Sequence, residues 1–151
     1  VARGTLDGAN VEMDEAVGRA NIYIFGARAN EVESIYATGT YHASTVFENN
    51  QEIRRALTQM IDGTLGDPGA FHELYHSLLF GDYGGMADPY LVLKDFGSYT
   101  MAQQRVSADY KSFDRWQRMA IANVAASGIF SSDRTIREYN ERIWRLAPAK
   151  W

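Results

Sequence analysis

The 151-residue chain contains no cysteine. That excludes disulfides, thiolate metal centres and cysteine nucleophiles, and it suits a reducing compartment, so a cytoplasmic location is expected. Basic residues are not in excess: 15 Lys and Arg stand against 19 Asp and Glu, a formal charge of −4. A general nucleic-acid footprint needs the opposite sign, so no nucleic-acid partner is expected. No apolar run approaches the ~20 residues that span a bilayer, and no membrane partner is expected either. The opening VARGTLDG has neither an initiator methionine nor the hydrophobic core of a signal peptide. The expectation is a chain whose beginning has been removed, a piece of a longer protein.

What is present is an ordinary globular balance, 46% hydrophobic and 23% charged. Asp7-Gly8 predicts a turn, with Asn10 as a candidate cap for a short helix over residues 11–17. Glu12, Asp14 and Glu15 lie where the helix dipole favours negative charge, and Gly18 is the stop. Residues 21–26, Asn-Ile-Tyr-Ile-Phe-Gly, are the strongest strand. Four consecutive apolar or aromatic residues predict cover on both faces, as in a parallel sheet. Asn30 is the candidate cap of a helix to Ala37, ended at Gly39, and Asn50 that of a helix carrying Ile53, Leu57, Met60 and Ile61 on one face. Further helices are predicted over residues 71–79, 96–110 and 113–126, and a last one runs from a cap at Ser132 to Trp144. Residues 63–69 and 81–89 read as loops, and residues 90–93 as a second short strand. The fold class expected is α/β, mostly helical with one or two buried strands. So small a sheet cannot centre an α/β domain, so its partner strands are expected outside this chain.

One motif points to metal chemistry. His72-Glu73-Leu74-Tyr75-His76 matches H-E-x-x-H, and on a helix the i, i+4 spacing sets both imidazoles on one face. Such a pair holds Zn²⁺ while the glutamate deprotonates a metal-bound water. A catalytic zinc needs a third protein ligand, and no third His follows. The competing reading is an amphipathic helix with Phe71, Leu74, Tyr75 and Leu78 turned inward, and on the missing ligand it is preferred. No G-x-S-x-G elbow occurs, and the Gly-rich Gly81–Gly85 run lacks the lysine and strand–helix context of a phosphate loop.

Several segments together resemble one family. Gly4-Thr5-Leu6-Asp7-Gly8-Ala9-Asn10-Val11-Glu12 resembles the G-T-[LM]-D-G-A-N-V-E stretch of the α-glucan phosphorylases of glycogen, starch and maltodextrin. Residues 21–26 resemble their N-[IL]-F-I-F-G strand, with Tyr23 in place of Phe. Asp88-Pro89-Tyr90-Leu91-Val92-Leu93-Lys94-Asp95-Phe96 is similar to their D-P-Y-x-V-x-x-D-F. Residues 127–139, S-G-I-F-S-S-D-R-T-I-R-E-Y, followed by Ile143-Trp144, are similar to their closing segment. Residues 28–80, which contain the H-E-x-x-H, match loosely.

The resemblance implies that residues 1–151 form the C-terminal part of a Rossmann-like domain in a two-domain, glycosyltransferase-B-type enzyme. It implies reversible phosphorolysis of α-1,4-glucans to glucose 1-phosphate, and a cytoplasmic homodimer when complete. It also implies pyridoxal 5′-phosphate on a lysine in a motif like E-A-S-G-T-G-N-M-K, which would precede Val1. Lys94, Lys111 and Lys150 sit in no such motif. No catalytic or cofactor-binding residue is therefore assigned, no cofactor is expected on this chain alone, and its partner is the missing N-terminal portion. Asp7 and Asn10 are candidates for bracing the cofactor loop from behind, with ordinary turn and cap chemistry as the competing reading. Arg134 is expected to pair with Glu138 at i+4. The alternatives are a zinc metallopeptidase-like helical protein using His72, Glu73 and His76, and a non-catalytic interaction module.

Overall fold

The computed structural model of the chain describes residues 3–82 and 84–147. Strands β1 (Arg3–Gly4) and β2 (Tyr23–Ile24) pair in parallel, Arg3 opposite Tyr23 and Gly4 opposite Ile24. The crossover between them is helix α1 (Ala9–Val17) and a 3-10 turn over Arg19–Asn21. The parallel pairing expected of Asn-Ile-Tyr-Ile-Phe-Gly is found, but over two residues instead of six. Asn21 closes the preceding turn, and Gly26 leaves the strand at φ 80°. Ile22 and Tyr23 are buried, while Ile24 and Phe25 are half-buried, so cover is incomplete. Helix α1 starts earlier than expected, capped by Gly8, and Asn10 lies inside its first turn. The Gly18 N–H closes it on the Asp14 carbonyl at 2.9 Å.

Helices α2 (Ala29–Thr38), α3 (Ala43–Asn49), α4 (Gln51–Ile61) and α5 (His72–Leu79) follow. The cap of α2 is Arg28, not Asn30, and the Glu31 carboxylate reaches back to the Arg28 N–H at 2.7 Å. Gly39 ends it in the left-handed region at φ 62°, where L side chains are strained. Asn50 caps α4 as its sequence predicts, accepting from the Glu52 and Ile53 N–H groups at 3.0 and 3.1 Å. Helix α3 has no counterpart among the predicted helices, for His42 before it offers no side-chain cap. Its support is tertiary, because Ala43, Ile53, Leu57, Leu79 and Leu93 form the core, with Val46 and Phe47 against it. Helix α5 turns Tyr75, Leu78 and Leu79 inward but leaves Leu74 half exposed, contrary to expectation.

Helices α6 (Val92–Tyr110) and α7 (Phe113–Ala126) lead through a 3-10 turn to α8 (Ser132–Tyr139), which widens into a π segment over Asn140–Trp144. The strand expected at residues 90–93 is instead a turn through Tyr90 and Leu91 and the start of α6 at Val92. Asp88, fully buried, accepts from the Val92 and Leu93 N–H groups, both at 2.8 Å, and from the Tyr41 hydroxyl at 2.6 Å. Its carboxylate takes the place of the strand partners that Tyr90–Leu93 would need. The Tyr41 hydroxyl is pushed well above its ordinary range by burial and then by its hydrogen bond to Asp88. Ser132 is the first residue of α8 and Ser131 its cap, with no side-chain cap bond. Arg134 and Glu138 do pair, at 2.6 Å. Among the described residues, no helix is long and apolar enough to cross a membrane.

Helix α6 also anchors β2 from its far end. The Tyr23 hydroxyl donates to Asp109 at 2.7 Å, and Arg115 binds the other carboxylate oxygen at 2.6 Å. Those two partners hold the Asp109 carboxyl below the usual carboxylate range.

Two outcomes follow from these contacts. Asp88→Ala strands three donors in the interior, and is expected to lower unfolding free energy by about 3 kcal/mol in chemical denaturation. Burial, then the bond to Asp109, pushes the Tyr23 phenol from 10.0 up to about 12. A raised folded-state value favours the neutral phenol, so its contribution is whole below pH 10.0 and lost as the pH climbs towards about 12. Thermal melts across that window should show a steeper alkaline loss for the parent than for Tyr23→Phe.

Candidate functional site

In parallel sheets, ligands gather at the carboxyl ends of the strands. Here those ends are Thr5–Asp7 after β1 and residues 26–28 after β2. The first turns of α6 come down upon them. The Ala27 N–H donates to the Asp95 carboxylate at 3.0 Å and the Gly26 N–H to the Ser98 hydroxyl at 2.9 Å. Ser98 in turn donates to the Asp95 carbonyl at 2.8 Å. Burial pushes the Asp95 carboxyl up, and the Ala27 N–H partly offsets that. Thr5, Asp7, Ala27, Tyr36, Tyr90 and Asp95 face a cavity of about 320 Å³, and the Tyr36 hydroxyl donates to the Pro89 carbonyl beside it.

The two residues singled out in the sequence meet where the chain enters α1, Asp7 in the turn before it and Asn10 in its first turn. Asp7 reaches the cavity wall, accepting from the Thr5 hydroxyl at 3.0 Å, and its carbonyl accepts from the Asn10 N–H at 3.0 Å. Asn10 lies over the backbone of Gly4, so close that a Cβ there would meet its Nδ2 at 2.6 Å. Asp7 thus lines the cavity, while Asn10 lies against the end of β1. The sequence did not single out Asp95, Ser98 or Tyr36. Asp95 belongs to the D-P-Y…D-F segment noted in the sequence, but its bond to the Ala27 N–H, 68 residues away, has no signal in spacing.

His72, Glu73 and His76 lie on α5. The imidazole centroids are 6.4 Å apart and nearly parallel, one turn apart. His76 Nδ1 stands 3.4 Å from Asp82 Oδ1, both half exposed. Among the described residues no group of three or more His, Asp or Glu is placed to hold a metal ion.

Gly26 is the tightest point of the strand-end site. At φ 80°, a Cβ would press on the Asp95 carboxylate and stand 2.9 Å from Thr5 Cγ2. Gly26→Ala is expected to lose about 2 kcal/mol from backbone strain alone, with displaced Asp95 adding to it, as read by denaturant unfolding.

Comparison with known proteins gives a single direction. The family model described as carbohydrate phosphorylase matches residues 1–146. Glycogen phosphorylase of Bacillus subtilis (strain 168) is 44% identical over 146 residues, covering 96% of this chain and 18% of that protein. Glycogen phosphorylase of Haemophilus influenzae is 41% identical over 149 residues, 97% of this chain and 17% of that protein. The muscle form from Ovis aries is 39% identical over 149 residues, with the same shares. The chain therefore spans under a fifth of the length of these relatives. None is named a peptidase, and the metallopeptidase reading of His72, Glu73 and His76 is not favoured. With its strand-end turn, its D-P-Y segment anchored by the buried Asp88 and nearly its whole length inside the match, the chain belongs to the carbohydrate phosphorylase family.

Proposed function

We propose that residues 1–151 are the C-terminal portion of a Rossmann-like domain in an α-glucan phosphorylase of the two-domain, glycosyltransferase-B type. The complete enzyme would cleave terminal α-1,4-linked glucose from a glucan with phosphate, reversibly, giving glucose 1-phosphate. The observation that carries this reading is the match along residues 1–146, together with relatives named glycogen phosphorylase. A cytoplasmic homodimer is the assembly the family resemblance suggests.

The strand pair supports the Rossmann-like reading in a specific way. Backbone groups alternate across a strand, and the Phe25 N–H points inward to the Gly4 carbonyl at 3.1 Å. The Ile24 carbonyl and the Gly26 N–H therefore point outward. Helix α6 takes both, through Arg105 Nη2 at 3.4 Å and Ser98 Oγ at 2.9 Å. An edge whose groups are already satisfied is a finished edge. Among the described residues β1 pairs only with β2, so additional strands would join on the β1 side.

Pyridoxal phosphate, which the resemblance implies, requires a lysine in reach of a site. Lys94 is exposed on α6 and Lys111 is exposed just after it, neither lines the strand-end cavity, and Lys150 lies outside the described residues. These residues do not fit a cofactor anchor. The anchor and the chemistry belong, on this reading, to the remainder of the enzyme. Asp7, in the turn before α1, and Asn10, in its first turn, would brace that part. Their own contribution is positional: one carboxylate at the cavity wall and one amide over the end of β1.

The test is separation and reunion. Purified alone, the 151-residue chain should release no glucose 1-phosphate from maltodextrin and phosphate, with or without added pyridoxal phosphate. Co-expression with the segment encoded upstream should restore cofactor absorbance and turnover together. Cofactor-dependent phosphorolysis by the lone chain, free of full-length enzyme, would show that the active site has been misplaced.

A further inference from the structure

A second and larger concavity lies on the outer side of β2, in the groove between that strand and α6. Its volume is about 760 Å³. Among the described residues three guanidiniums line it, Arg19, Arg28 and Arg105, and no Asp or Glu does. In a chain of net charge −4 that is a local reversal of sign. Arg19 is drawn to Asp14 at 3.2 Å, but among the described residues neither Arg28 nor Arg105 forms an ion pair. Arg105 gives one long bond, 3.4 Å, to the Ile24 carbonyl and keeps its remaining donors. The wall below is apolar, with Phe25 and Met101 among the lining residues.

This groove is not the slot of an absent strand. The outward groups of β2 that a strand would pair with are already bound by Arg105 and Ser98. Nor is Arg28 a loose surface side chain by position. It follows the turn that α6 clamps at Gly26 and Ala27, and its own N–H is held by Glu31 at 2.7 Å. Backbone held at three successive residues delivers the guanidinium to the groove mouth from one direction, and α6 delivers Arg105 from the other. Planar guanidiniums bind phosphate and carboxylate oxygens in pairs, and unpaired ones beside an apolar wall suit an anion with an apolar body.

The geometry points to an anion-binding groove between β2 and α6, with Arg28 and Arg105 as its ligating residues, taking a phosphate monoester whose organic part rests on Phe25 and Met101. The inference stands on the local geometry and does not depend on the reaction assigned to the complete enzyme.

Peptide-resolved arginine labelling tests it within the full-length polypeptide that carries this chain. Phenylglyoxal should modify Arg28 and Arg105, with exposed Arg55 as the reference site. Phenyl phosphate at ten times its dissociation constant should slow labelling of both groove arginines about tenfold and leave Arg55 unchanged, the protection that mass action gives. Inorganic phosphate should protect at higher concentration only, and phenol not at all. Arg105→Gln should weaken the protection of Arg28 roughly tenfold, while Arg105→Lys, which keeps the charge, should weaken it less. Groove arginines that label freely and are not protected by phenyl phosphate would overturn the proposal. So would groove arginines that resist labelling without ligand, since the groove would then be filled by another part of the polypeptide. Equal protection by Arg105→Gln and the parent would remove Arg105 from the site.

Discussion

A buried carboxylate cannot be left unpaired, and the placement of α6 follows from that constraint. Asp88 is fully enclosed and surrounded by three donors, two of them N–H groups of the kind that any helix start leaves without an intrahelical partner. The positive end of the helix dipole meets a negative charge where solvent cannot screen it. To deliver those bonds the chain adopts left-handed backbone at Asp88 and at Leu91, φ 48° and 56°. Asp tolerates that region because its short side chain bonds locally. Leu91 is held there with its side chain almost wholly buried, so the strain at one position is offset by apolar cover. The same turn is tied to α5 by the Asp88 N–H on the Ser77 carbonyl at 3.1 Å.

Once α6 is placed, it holds the sheet. Two strands of two residues have too few ladder bonds to be stable by themselves. Helix α6 runs antiparallel to β2 and meets it at successive turns. Asp109 binds Tyr23, Arg105 binds Ile24, Ser98 binds Gly26, and Asp95 binds Ala27. These four contacts replace a neighbouring strand with side chains from a helix. They also explain why the strand-end site and the arginine groove share a wall. Both are built on the same stretch of β2, one at its carboxyl end and one along its outer side.

How much of this was legible depended on where each signal resided. Asn50 and Gly39 were readable because cap and stop chemistry acts within one turn of the residue that carries it. The parallel pairing of residues 21–26 followed from a run of apolar residues, a pattern that local sequence records directly. Residues 90–93 misled because Tyr-Leu-Val-Leu has strand composition, while its fate was set by Asp88 and by Tyr41, 47 residues away along the chain. Helix α3 had no local signal, since its cap makes no side-chain bond and its reason for folding is the core it joins. Asp7 and Asn10 could be named as polar residues in a turn. Asp95 and Ser98 became visible only when α6 was laid across the strand ends, because hydrogen bonds spanning 68 and 72 residues leave no trace in spacing.

The distribution of exposed apolar surface then sorts the faces of the chain. Phe113, Ile121 and Val124 share one stripe of α7 and are each well exposed, and Ile136, Tyr139, Ile143 and Trp144 are exposed along α8 and its π extension. Contiguous apolar surface of this kind is costly in water unless it meets a partner. The β2 side is different, with its backbone groups satisfied and its groove lined by arginine, serine and glutamine as well as apolar residues. If the chain continues into a larger enzyme, that continuation is directed by where bonds and apolar cover are still wanting. It would proceed through the open side of β1 and over α7 and α8, and leave the outer side of β2 facing solvent. A groove that stays wet when the rest is covered is where a small charged ligand can arrive without moving any part of the fold.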